Sequence, residues 1–139
     1  MVDEKNEAEI NEVLNYLSEL ALRYAEEGQE SDTKRLIEYI KMIGKKAALA
    51  GLEPIVIKTL LLIPPVAREA CRQHMENALV SIILALGVIG KEAAGKKMEV
   101  PARIAAFCLG EMGNTATSKR SKKETIAVIF ALGEIGKSV

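Results

Sequence analysis

Cys71 and His74 stand one helical turn apart and are the only pair of soft metal ligands at close spacing in the chain. A zinc site takes three or four ligands, and His74 is the sole histidine. No metal is therefore expected: the spacing predicts Cys71 packed inward at a helix end and His74 in the turn that follows. With one histidine and no carboxylate beside it, nucleophilic catalysis assisted by a base has no evident members. Gly90-Lys-Glu-Ala-Ala-Gly-Lys96-Lys97 approaches a phosphate-binding loop, but Lys97 stands where a Ser or Thr must hold Mg²⁺. The only aspartates, Asp3 and Asp32, follow no apolar strand that could supply a second metal ligand. Gly133-Glu-Ile-Gly136-Lys137-Ser138 has the right last residues with its glycines too close together. These residues predict no catalytic site, no cofactor and no enzyme.

The remaining candidates are binding residues. Lys119, Arg120, Lys122 and Lys123 flank Ser121 in the densest basic run, expected in the turn before the last helix, where they suit phosphates or an acidic partner. The alternative there is a solvated turn, and no aromatic residues interleave to stack on bases. Arg103, Phe107 and Glu111 are spaced by four and would share one helix face, as a contact point or with Phe107 packed on a neighbouring helix. Residues 126–132 (IAVIFAL) are apolar on every side, so a cover is needed for Ile126, Phe130 or Ala127. A second copy, another protein or further sequence would supply it. Otherwise the chain curls far enough to bury that face itself.

The elements that position these residues follow from a repeat of 23. The glycines Gly44, Gly90, Gly113 and Gly136 lie on one 23-residue register, which Ala21 and Ala67 complete. Four residues before each anchor stand Leu17, Ile40, Ile63, Leu86, Leu109 and Leu132, and one before it Leu20, Ile43, Val66, Ile89, Met112 and Ile135. The columns seven and eight before are apolar throughout, except at Thr59. Offsets of −8, −7, −4 and −1 make one stripe at 3.6 residues per turn. Three residues after the anchor, Ala47, Ala70, Ala93 and Ala116 recur.

Each block reads as a helix and a turn, placing helices at about 5–26, 31–49, 54–73, 76–94, 100–113 and 122–136. Ser31 and Asp32 are cap candidates for the second. Pro54 and Pro101 suit the first turns of the third and fifth, and Gly28, Gly51 and Gly95 suit turns. The glycines of the repeated Leu-Gly-x-Ile-Gly element are expected near helix ends, ending a helix or admitting a neighbour. Pro64-Pro65 predicts a kink or break near Ile63. Runs such as Ile55-Val56-Ile57 and Ile126–Phe130 would pass for buried strands alone, which makes an α/β fold the runner-up. The shared columns favour all-α.

Composition agrees. The chain has 139 residues, enough for one domain over 1–139, with 49% hydrophobic and 27% charged residues and no tryptophan. A core of Ile, Leu, Val and Ala suits close helix packing. The longest apolar run, Ala78–Gly90, is short of the ~20 residues of a membrane span, and residues 1–5 do not resemble a signal peptide. Two cysteines without close spacing, Cys71 and Cys108, suit a reduced cytoplasmic protein. Net charge is zero but uneven: residues 1–32 carry ten acids and two bases. That asymmetry can steer a partner, or two copies head to tail.

Val100-Pro-Ala-Arg-Ile-Ala-Ala-Phe-Cys-Leu-Gly-Glu-Met-Gly113 and Ile126-Ala-Val-Ile-Phe-Ala-Leu-Gly-Glu-Ile-Gly136 resemble the second half of many HEAT-like repeats, and a helix pair of 46 residues falls in the HEAT and armadillo range. The resemblance covers most of the chain. It implies a right-handed α-α superhelix of about six helices, and a role as scaffold, adaptor or regulatory arm. The expected function is a non-catalytic protein–protein interaction, with self-association through the apolar last helix as a homodimer. The alternative is a nucleic-acid-binding module using the basic C-terminal half, with salt dependence as the discriminator.

Overall fold

The computed structural model describes residues 4–139 as six helices joined by short turns. They are α1 (Glu4–Glu26), α2 (Glu30–Leu49), α3 (Glu53–Arg72), α4 (Glu76–Gly95), α5 (Glu99–Ser118) and α6 (Lys122–Ser138). No strand occurs among the described residues, so the all-α reading holds and the α/β runner-up falls. Each helix packs on the next, and also on the next but one: α1 on α3 and α3 on α5, α2 on α4 and α4 on α6. The odd helices thus form one layer and the even helices another. The structural repeat is a helix pair of 46 residues. Lying at the centre, α4 touches α2, α3, α5 and α6.

The turns keep the 23-residue register. At Gly28, Gly51, His74, Lys97 and Arg120 the backbone is left-handed, with φ of 73, 76, 57, 60 and 58°. The residue after each donates its N–H five residues back: Gln29 to Tyr24, Leu52 to Ala47, Met75 to Ala70, Met98 to Ala93 and Ser121 to Ala116, all at 2.9 Å. This is the Schellman closure, which satisfies carbonyls left free at a helix end. The recurring alanine column supplies four of the five acceptors. The closing residue is also the N-cap of the next helix, so one residue ends a helix and starts another. Four of these caps offer no side-chain bond; Ser121 alone does, its Oγ accepting from the Glu124 N–H. In place of caps, Glu30, Glu53, Glu76 and Glu99 open their helices, where the helix dipole favours a negative charge.

Several boundary expectations are corrected. Ser31 and Asp32 lie inside the first turn of α2, which is capped by Gln29. Gly95 ends α4, and Lys97 takes the left-handed position instead. Beyond Gly113, α5 runs five residues further; that glycine is an interior residue against Val128 of α6. α3 is continuous through Pro64-Pro65. The two prolines remove the donors that would reach the Leu60 and Leu61 carbonyls. The buried flanks Ile63, Val66 and Ala67 hold the helix in place on either side.

The core is aliphatic, as expected. Most of α4 is buried, including Leu79, Ile82, Ile83, Leu86 and Ile89. It is long and apolar enough to cross a bilayer, but 61% of that stretch is buried inside the protein. Thr59, the polar exception in its column, is also buried, and its hydroxyl donates to the Ile55 carbonyl at 2.7 Å.

Two glycines set the approach of the even helices. A Cβ on Gly44 would stand 2.7 Å from Ile89 Cδ1 and 2.9 Å from Thr59 Cγ2. Forty-six residues on, a Cβ on Gly90 would stand 2.6 Å from Ile135 Cδ1 and 2.8 Å from Ala105 Cβ. The same three positions meet in both repeats.

Candidate functional site

The structure divides the predicted binding residues among three places. Phe107 and Glu111 border a cleft between α3 and α5 of about 510 Å³, floored by Leu79 and Leu86 of α4. Both thiols, Cys71 and Cys108, line it, and Phe107 is 69% exposed at its mouth. Burial first, and the nearby Glu111 carboxylate second, push the Cys108 thiol above its ordinary pKa. That disfavours the thiolate, so Cys108 lacks the activation a nucleophilic cysteine needs. Arg103 does not line the cleft; it stands exposed in a 3.7 Å ion pair with Glu99. Cys71 is only half-buried, and His74 is exposed in the turn. Among the described residues no three His, Cys, Asp or Glu side chains gather as a metal would require.

Lys119 and Arg120 form the turn between α5 and α6, while Lys122 and Lys123 belong to the first turn of α6. Two of the four cations are engaged. The Lys119 Nζ lies 2.9 Å from the Glu124 carboxylate, which is only 3% exposed, and Lys123 donates to Asn77 of α4 at 2.6 Å. Arg120 and Lys122 extend into solvent.

The third place is the outer edge of α6. Ala127, which the sequence grouped with the residues needing a cover, is already buried, as are Glu124, Val128, Ala131 and Ile135 on the side facing α4 and α5. On the opposite side, Lys122, Ile126, Ile129, Gly133 and Gly136 follow one another at alternating steps of four and three, so they share one stripe. Ile126 is 66% and Ile129 65% exposed, and Phe130 beside them is 58% exposed. No atom lies within 4 Å of a Cβ built on Gly133 or Gly136.

Ile129, Gly133 and Gly136 were missed as site residues by reading α6 alone. Shifting by 46 finds them, because α4 is a buried copy of α6. Ile83-Leu-Ala-Leu-Gly-Val-Ile-Gly-Lys91 becomes Ile129-Phe-Ala-Leu-Gly-Glu-Ile-Gly-Lys137. In α4 the counterparts Ile83, Gly87 and Gly90 are buried, and Gly87 and Gly90 lie directly against Ala131 and Ile135. The α6 edge therefore carries an interior sequence with nothing against it among the described residues. In comparisons with known proteins, no family model, no curated protein and no solved structure matches this chain.

Proposed function

We propose that this protein is a non-catalytic interaction module of the HEAT- or armadillo-like class, and that it associates with further copies of itself through the open edge of α6. One observation carries the reading: Ile129 stands 65% exposed, with Ile126 exposed beside it, whereas Ile83, the counterpart of Ile129 in the twin helix α4, is fully buried. A terminal helix of a repeat stack ordinarily presents a polar outer face. Contiguous exposed apolar surface of this kind marks an interaction site. The two free cysteines suit a reducing compartment such as the cytoplasm. A phosphate-binding role for the basic turn has weaker support, since Lys119 and Lys123 are already paired within the protein.

The test is the solution mass of the wild type and of Ile129→Glu by light scattering. The reading expects an associated wild type and a variant reduced to single copies with unchanged helix content. A wild type that stays at 15.1 kDa would overturn it.

A further inference from the structure

Resting on that reading, the repeat register also identifies what fits the α6 edge. Between the first and second helix pairs, Gly44 receives Ile89 and Thr59; between the second and third, Gly90 receives Ile135 and Ala105, and Gly87 receives Ala131. Advancing each contact by a further 46 residues leaves Gly136 and Gly133 waiting for three residues that this copy does not supply. In register, those places fall to Ile43, Val13 and Tyr39 of a first helix pair. Val13 and Tyr39 are each 49% exposed, and Ile43 and Val13 line an open groove between α1 and α2 with Ile10, Ala47 and Leu52. The α1 end is thus not the clean polar cap that its glutamates suggest.

Charge matches the same register. Glu30 accepts from the Ala78 N–H at 3.1 Å, and Glu76 accepts from the Ser121 hydroxyl at 2.9 Å, so each touches the start of the next even helix. At the third such position the sign reverses, to Lys122. The helix start it would face is that of α2, whose first turn carries two acids, Glu30 and Asp32. On the odd layer, the Asn11 carbonyl accepts from Lys58. The equivalent places across the junction are Arg103 and Glu12, of opposite charge. The acidic first 32 residues would therefore meet the basic remainder. A two-fold pairing of α6 edges, by contrast, sets like charge against like: antiparallel, it places Lys122 beside Gly136 and Lys137, and parallel, it places Lys122 beside Lys122 of the other copy.

We propose that copies of this chain stack head to tail, the α6 edge of one seated on the α1–α2 groove of the next, so that the superhelix continues across the junction. Such an interface is heterologous, and each added copy presents a fresh edge.

Two half-blocked proteins test it: Ile129→Glu closes the α6 edge, and Val13→Glu with Tyr39→Glu closes the groove. Circular dichroism first confirms that both are folded. Each alone is expected to stay at one copy, and an equal mixture to form a two-copy species that grows no further. If the groove-blocked protein still associates alone, head-to-tail stacking is overturned while self-association through α6 stands. If the mixture does not pair although the wild type associates, stacking is likewise overturned; a wild type of single copies at every concentration removes both readings. Should a blocked protein fail to fold, Lys122→Glu, an exposed change in a first helical turn, serves instead. It is expected to lower the associated mass, whereas unchanged association would contradict the assigned charge contact.

Discussion

Ala131 of α6 fills the space that a side chain on Gly87 of α4 would need: its Cβ lies 2.7 Å, and its Cα 3.1 Å, from where a Cβ on Gly87 would stand. The obstacle includes backbone, so α6 itself would have to move. Gly87→Ala is expected to destabilise the protein by about 1–3 kcal/mol through overpacking, outweighing the gain in helix propensity. At Gly133, the same position one repeat on, nothing stands in the way. There the change to alanine is expected to stabilise the fold by about 1 kcal/mol. Denaturant melts of the two variants, at a dilution that keeps the chain as single copies, check this; a Gly133→Ala change that destabilises as Gly87→Ala does would show that Gly133 is covered as well.

The left-handed turn residues give a second contrast. Gly51 adopts its φ at no steric cost, whereas Lys97 and Arg120 carry a Cβ there. Lys97→Gly is expected to stabilise by roughly 0.5–1 kcal/mol and Gly51→Ala to destabilise by about 1–2 kcal/mol. Thermal melting of the two variants reads both.

Removing the cation beside Glu124 leaves a buried carboxylate without its partner. Lys119 is partly solvated, which reduces the penalty below that of a fully buried pair. Lys119→Met is expected to cost roughly 1–3 kcal/mol, and the double change with Glu124→Gln to recover much of it. A double-mutant cycle measures the coupling.

Cys108 titrates above its ordinary range because burial and then Glu111 disfavour the thiolate. Its alkylation is therefore expected to lag behind that of a free thiol at a given pH, with the rate curve displaced upward. The sign for stability follows. The folded state prefers the neutral thiol, so the contribution is complete below the unfolded pKa and lost as pH rises through the folded one. Mass-resolved alkylation across pH, with Cys71→Ser to isolate the site, gives the curve.

All six helices begin within one residue of the positions expected from the repeat, because apolar columns at −8, −7, −4 and −1 leave one face to bury. The turn geometry was half legible. Gly28 and Gly51 announce left-handed backbone, while His74, Lys97 and Arg120 adopt it under the pull of the next helix and carry no such mark. Gly113 misled for a related reason: a glycine that admits Val128 looks the same in sequence as one that ends a helix. At the candidate site, Ile126 and Phe130 stood out by being apolar where a last helix should be polar. Ile129, Gly133 and Gly136 did not, because a 23-residue register treats all helices alike. The packing distinguishes odd from even, and only a shift of 46 sets α6 against its buried twin.

Sedimentation of the intact chain from dilute to concentrated solution measures whether the α6 edge is an interface between copies. The average mass is expected to rise from 15.1 kDa and to pass beyond two copies as concentration increases. A single species of one copy across the whole range would contradict it.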